Sequence, residues 1–138
     1  MINNKIEAYM TKSPVIIMES DTLSKAFEIL KESSFSHLPV LDQKNIVSGI
    51  ISNRDIQNFN KLFDQLDISK KSILDNLAIK DVMTTHVKTI DKNQSVEDAN
   101  DIILSLGVHA LPVVENGHII GIITETDILK YYNKKYSK

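Results

Sequence analysis

The chain repeats itself, and no other feature of its 138 residues limits the fold as much. Met10-Thr11 recurs as Met83-Thr84, 73 positions on. At that offset Ile17 meets Ile90, Ala26 meets Ala99, Ile29 meets Ile102, and Leu38-Pro39-Val40 meets Leu111-Pro112-Val113. One residue is then dropped where Asp42 to Asn45 faces Glu115 to His118. At the new offset of 72, Gly49-Ile50-Ile51-Ser52 meets Gly121-Ile122-Ile123-Thr124, and Asp55-Ile56 meets Asp127-Ile128. The insertion falls in a turn, where it is tolerated. Ordered matches of this kind mean two copies of one structural unit, each too small to bury two faces alone.

Each copy reads as β-α-β-β-α. Val15 to Ile17 and Val87 to Ile90 are short apolar strands. In Thr22–Ser33, Leu23, Ala26, Phe27 and Leu30 fall on one helical face; Val96, Ala99, Ile102 and Ile103 repeat it in Ser95–Leu106. Thr22 and Ser95 suit the N-cap, and Gly107 suits the C-terminal end. Two hairpins follow, Leu38–Leu41 with Ile46–Ile51 and Ala110–Val114 with Ile119–Ile123. Asn116-Gly117 is a strong turn signal, and the prolines belong near strand starts. Closing helices run over about Asn53–Phe59 and Glu125–Tyr132. The polar stretch from Asn60 to Lys80 extends the first of them, with a short turn near Ser72–Leu77. The division is thus a first repeat with a lead-in helix over 1–66, a connector over 67–80, and a second repeat over 81–138.

Composition removes several functions. There is no Cys, so disulfides, thiolate catalysis and Cys-bound metal are excluded. Sixteen basic against eighteen acidic residues give a net charge of −2, which argues against nucleic acid as a partner. No apolar run approaches the roughly 18 residues of a membrane span, and the first ten residues lack a signal-peptide pattern. A cytoplasmic protein without a membrane partner is the expectation. His37, His86, His109 and His118 form no metal-binding spacing, and no Gly-x-Ser-x-Gly elbow occurs. Neither a metal site nor a catalytic residue is expected.

Met-Thr, then Leu-Pro-Val, then Gly-Ile-Ile-[Ser/Thr]-x-x-Asp, twice in that order, resembles the tandem CBS domain. The likeness runs from about Tyr9 to Tyr131, and the segment Leu77 to Thr84 is similar to the CBS part of AcuB-type proteins. It implies an α+β, sandwich-like fold in which the two repeats pack about a pseudo-twofold axis as a Bateman module. It also implies an adenosyl ligand (AMP, ADP, ATP, S-adenosylmethionine or cyclic di-AMP), with no other cofactor required. A carboxylate can accept both hydroxyls of a ribose diol, and a hydroxyl beside helix N–H groups can hold a phosphate. The resemblance gives these roles to Asp127 and Thr124, and to Asp55 and Ser52. It groups the first pair with Thr11, Lys12, Pro14, Ser36 and His37, and the second with Thr84, His86, Val87, His109 and Ala110, in clefts shared by the repeats. The same Ser/Thr-x-x-Asp pattern is also a helix capping box, and both readings stay open.

Where some family members carry a phosphate-binding Arg before Leu-Pro, this chain has His37 and Ala110. Arg54, in the first turn of its helix, suits a nearby anion or simply solvent. Three functions follow. A regulatory sensor binds an adenosyl nucleotide and signals to a partner protein as yet unspecified. A constitutive dimerisation module leaves its clefts empty. An enzyme acting on nucleotides is disfavoured, since no nucleophile or metal constellation is present. A homodimer is expected in either of the first two, through apolar helix residues Phe27, Leu30, Ile56, Phe59, Ile128 and Leu129.

Overall fold

The structure, a computed structural model, describes residues 2–32, 36–66 and 69–137. It divides into a continuous unit, Val15–Val87, and a split unit made of Met1–Pro14 and Lys88–Lys138. The repeat boundaries read from sequence are therefore not the boundaries of the compact units. Residues that precede the first repeat are built into the unit of the second.

The continuous unit contains β2 (Ile17–Met18), α1 (Leu23–Glu32), β3 (His37–Leu41), β4 (Val47–Ser52), α2 (Asn53–Gln65) and α3 (Lys70–Asn76). A 3-10 turn, Ile79–Asp81, follows. The sheet order is β2-β3-β4, parallel then antiparallel. The split unit contains a 3-10 turn at Ile6–Ala8, β1 (Thr11–Lys12), β5 (Ile90–Asp91), α4 (Val96–Leu106), β6 (Ala110–Glu115), β7 (His118–Thr124) and α5 (Glu125–Tyr136). Its order is β1-β7-β6-β5. Both repeats have the expected β-α-β-β-α order.

The first strands are shorter and later than the apolar runs suggest. Only Ile17–Met18 and Ile90–Asp91 enter the ladders, opposite Val40–Leu41 and Val113–Val114. This explains the prolines. Pro39 and Pro112 sit at the third residue of β3 and β6, not at the start. The short parallel neighbour begins just beyond each, so the missing N–H costs no ladder bond on that side. Asn116 (φ 52°) and Gly117 (φ 80°) form the two-residue turn of the second hairpin. In the first, Asn45 takes φ 63°, and the Asp42 carboxylate accepts from Lys44 N at 2.8 Å and Ile46 N at 3.1 Å. An aspartate-stabilised loop thus replaces the missing glycine.

The helix faces match their sequence signals. Leu23, Ala26 and Leu30 are buried on α1, as are Val96, Ala99 and Ile103 on α4. Ser95 caps α4, and Gly107 ends it in the left-handed region at φ 67°. The connector departs from expectation. A helix, α3, occupies the stretch read as a turn, and it packs on α1. Ser69 caps it, while Leu74 and Leu77 pack against the continuous unit's core. Ser33, at the expected end of α1, lies outside the described residues.

Two isoleucines anchor the lead-ins. Ile79 and its counterpart Ile6 are fully buried, each in the core of its unit. The backbone hooks around them are alike: Ile79 N donates to Asp21 O at 2.8 Å and Leu23 N to Leu77 O at 2.9 Å, while Ile6 N donates to Gln94 O at 3.1 Å and Val96 N to Asn4 O at 2.8 Å. Beyond each hook the chain runs along the closing strand of the hairpin. Thr84 and Ile50 exchange two backbone bonds of 3.1 Å, and Thr11 pairs with Ile122. Gly49 and Gly121 permit this approach. A Cβ on Gly49 would lie 2.9 Å from the Thr84 carbonyl oxygen, and one on Gly121 would lie 2.9 Å from that of Thr11. Gly121→Ala and Gly49→Ala should each destabilise the protein by about 1–3 kcal/mol, the usual cost of overpacking a site whose neighbour is backbone. Urea titration checks this; unchanged midpoints would show that the lead-ins do not hold their strands this closely.

Candidate functional site

Ser52 ends β4 and starts α2; Thr124 does the same between β7 and α5. An extended residue there turns its side chain back over the first helical turn. Asp55 N donates to Ser52 Oγ at 3.2 Å, and Ser52 N donates to Asp55 Oδ2 at 2.9 Å. Asp127 N donates to Thr124 Oγ1 at 3.4 Å, and Thr124 N donates to Asp127 Oδ2 at 2.9 Å. The Thr124 hydroxyl adds a 3.1 Å contact to the same Oδ2. Both motifs are therefore full capping boxes. Their carboxylates are half-buried, and Oδ1 of neither Asp makes a hydrogen bond among the described residues.

A third box shows how little the motif alone decides. Ser95 and Asp98 cap α4 reciprocally, at 3.0 and 3.1 Å, and no ligand role is read there. What sets the other two apart is their surroundings. Thr84 pairs with Ile50, two residues before Ser52, and the antiparallel lead-in then runs away from Ser52 to His86, which holds φ 57°. Thr11 likewise pairs with Ile122, two residues before Thr124, and Lys12 and Ser13 lead away from Thr124, with Ser13 at φ 48° and its N–H donating to Ile120 O at 3.1 Å. Non-glycine residues held at positive φ cost energy and cluster at functional sites. Pro14 and Val87, both half-buried, follow these two residues.

The starts of β3 and β6 complete each rim. His37 lies opposite Ser52, and Asn53 N donates to Ser36 O at 2.9 Å. Ala110 lies opposite Thr124, and Glu125 N donates to His109 O at 3.2 Å. Within the continuous unit the structure thus gathers Ser36, His37, Ser52, Asp55 and Thr84, with His86 and Val87 close by in sequence. The split unit gathers His109, Ala110, Thr124, Asp127 and Thr11, while Pro14 follows Ser13, which lies opposite Ile120 and away from Thr124. The resemblance groups Ser36 and His37 with Asp127, yet in their own unit they adjoin Ser52. Lys12, opposite Gly121, also lines a cavity of about 350 Å³ with Asn3, Lys5, Glu7, Ala8, Lys92 and Asn93.

Two features were not nominated from sequence. Ser13 occupies the same left-handed position as His86, 73 residues earlier, and the repeat offset was signal enough to find it. The other is the contact of His109 Nδ1 with Glu125 Oε1 at the exposed edge of the split unit's rim. Nothing in local sequence marks it. Among the described residues, no group of three or more His, Asp or Glu is placed to hold a metal ion. No described helix is long and apolar enough to cross a membrane. Capping itself is measurable. Thr124→Ala, Ser52→Ala and Ser95→Ala should each cost about 0.5–2 kcal/mol in chemical denaturation without ligand; a variant that unfolds like wild type would show its box to be unimportant.

Residues 6–60 and 79–134 each match the family model described as CBS domain. Inosine-5'-monophosphate dehydrogenase of Methanocaldococcus jannaschii is 32% identical over 96% of the chain, which spans only 24% of that relative. CBSX2, solved in complex with AMP, superposes with a TM-score of 0.78 at 23% identity, covering 98% of this chain and 100% of that one. The CBS domain pair of protein MJ0100, solved with 5-methylthioadenosine and S-adenosyl-L-methionine, gives 0.78 at 22% identity over 95% and 97%. With both repeats matched and their order and hairpin registers repeated in the fold, the chain belongs to the CBS-domain family.

Proposed function

We propose that the chain is a regulatory module that binds an adenosyl nucleotide and passes its bound state to a partner protein. One observation carries the reading: both repeats present the same rim, a helix-starting Ser or Thr with Asp three residues on, at the end of a strand whose edge pairs with a lead-in. The capped Asp oxygen is engaged, and Oδ1 is oriented by it, ready to accept ribose hydroxyls. Structures similar to this chain were solved with AMP and with S-adenosyl-L-methionine. ADP, ATP and cyclic di-AMP belong to the same ligand class. Lys12, Pro14, Val87, His37, Ser36, His109 and Ala110 are proposed to shape the binding surface, and a cytoplasmic setting suits a nucleotide sensor. The ligand acts by favouring one conformation over another, and only differential affinity can do so.

Thermal shift tests the reading. A ligand binding only the folded state at one hundred times its Kd adds about 2.7 kcal/mol, several degrees for a chain of this size. At least one adenosyl ligand should produce this. Asp127→Asn keeps an oxygen for the cap but removes the charge, so calorimetry should lose about 1.5–3 kcal/mol at that site. No shift with any adenosyl ligand at millimolar concentration would favour the alternative of a scaffold with empty clefts, which the self-satisfied caps would permit.

A homodimer belongs to the same proposal, with Leu129 the one residue of the expected set on an exposed face. Leu30 and Ile128 are buried in their own cores, and Phe27, Ile56 and Phe59 pack against one. Of that set only Leu129 is exposed, at 68%. Leu62 and Leu66 on and after α2, Leu104 and Leu106 on α4, and Tyr136 on α5 join it as exposed apolar side chains. Covering these in a twofold dimer removes them from water. Sedimentation at high micromolar protein should show a dimer; a monomer would overturn this part.

A further inference from the structure

We infer that the two rims divide adenosyl ligands by charge: the rim with Arg54 takes a phosphorylated ligand, and the rim with Glu125 takes one whose 5′ substituent is uncharged or cationic. The inference rests on the adenosyl-binding reading and deepens it. The two rims share one backbone. Asn53 N reaches Ser36 O at 2.9 Å, as Glu125 N reaches His109 O at 3.2 Å, and the lead-in strands pair at equivalent residues. Side chains alone therefore separate the two.

The first three helical residues are Asn53, Arg54 and Asp55 in the continuous unit, and Glu125, Thr126 and Asp127 in the split unit. The first set is formally neutral; the second carries two carboxylates and no cation. No residue of the first turn of α5 is a Lys or Arg. His109 Nδ1 meets Glu125 Oε1 and leaves Asp127 without a basic neighbour there. Lys12 lies opposite Gly121, three residues before Thr124, and Lys92 is held by Glu7 and Glu115. Arg54, by contrast, is exposed and makes no ion pair among the described residues. A guanidinium offers a planar fork of donors that fits phosphate oxygens, whereas an arriving phosphate meets repulsion from Glu125 and Asp127. A nucleoside without phosphate escapes that repulsion, and a sulfonium is attracted.

AMP and adenosine share base and ribose and differ in the phosphate, so the ratio of their affinities isolates the effect. Calorimetry on the full chain should give two classes of site in wild type. Arg54→Gln should lower the AMP-to-adenosine ratio at the AMP-preferring site by on the order of tenfold, the scale of a lost charge-assisted contact. Glu125→Gln should raise the ratio at the other site by at least about threefold, with more AMP bound per chain. If AMP binds and both variants leave the ratios within about twofold, or shift them the opposite way, the division by charge is overturned while adenosyl binding stands. Absence of heat and of thermal shift with both ligands would overturn the two together.

Discussion

A strip of lead-in backbone lying against the closing strand of each hairpin is the contact on which the rest depends. It requires a strand residue without a side chain, and Gly49 and Gly121 supply one in each unit. Met83 and Met10 fill the vacated space with a flexible sulfur side chain. Upstream, Ile79 and Ile6 fix the segment in the core, and the hooks at Asp21–Leu23 and Gln94–Val96 fix its direction. Downstream, the antiparallel segment carries Thr84–His86 or Thr11–Ser13 along β4 or β7, away from the end where α2 or α5 begins. Core and sheet edge are therefore set by one pairing. Loosening the strip would expose a buried isoleucine and unpair the sheet edge at once.

The parts of this arrangement that repeat locally were legible in the sequence. Helical spacing located α1 and α4, Asn116-Gly117 located a hairpin, and the offset of the two copies gave the element order. The lead-in's destination was not legible from local pattern, because Thr11 and Ile122 pair across nearly the whole chain and strand pairing at that separation leaves no periodic trace. Ile6 and Ile79 were missed for a related reason. A single apolar residue in a polar turn has no periodic partner, so its burial depends on tertiary context alone. The helix α3 is seven residues long, too short for a helical period to outweigh its polar composition, and packing on α1 stabilises it instead.

For the candidate site, sequence supplied the right residue types and an ambiguity. Ser/Thr-x-x-Asp describes a cap and a ligand contact equally well, and three helices of this chain use it as a cap. The α4 box has Lys5 bridged to Ser95 and Asn4 bonded to Glu97 beside it. The other two boxes end strands β4 and β7, whose edges pair with Thr84 and Thr11. The discriminating information is thus the company of the motif, and that company is assembled by the lead-ins. His109 and Glu125, sixteen residues apart, meet only because β6 and β7 pair and bring the two ends of the hairpin together.

Capping and ligand contact need not compete. In each box one carboxylate oxygen, Oδ2, accepts the backbone N–H of the capping residue, and that bond fixes the plane of the carboxylate. A carboxylate held this way has already lost rotamer freedom before a ligand arrives, so binding through Oδ1 does not bear that entropic cost again. The fold contributes the same economy elsewhere. The left-handed Ser13 and His86 are held by strand pairing just upstream, so their strain is offset by the lead-in rather than by the ligand. A rim whose polar groups are oriented by the apo fold can distinguish ligands by small differences in charge. Replacing Asn53-Arg54 by Glu125-Thr126 on an unchanged backbone is a difference of that kind, one through which a duplicated unit would serve two chemistries without altering its core.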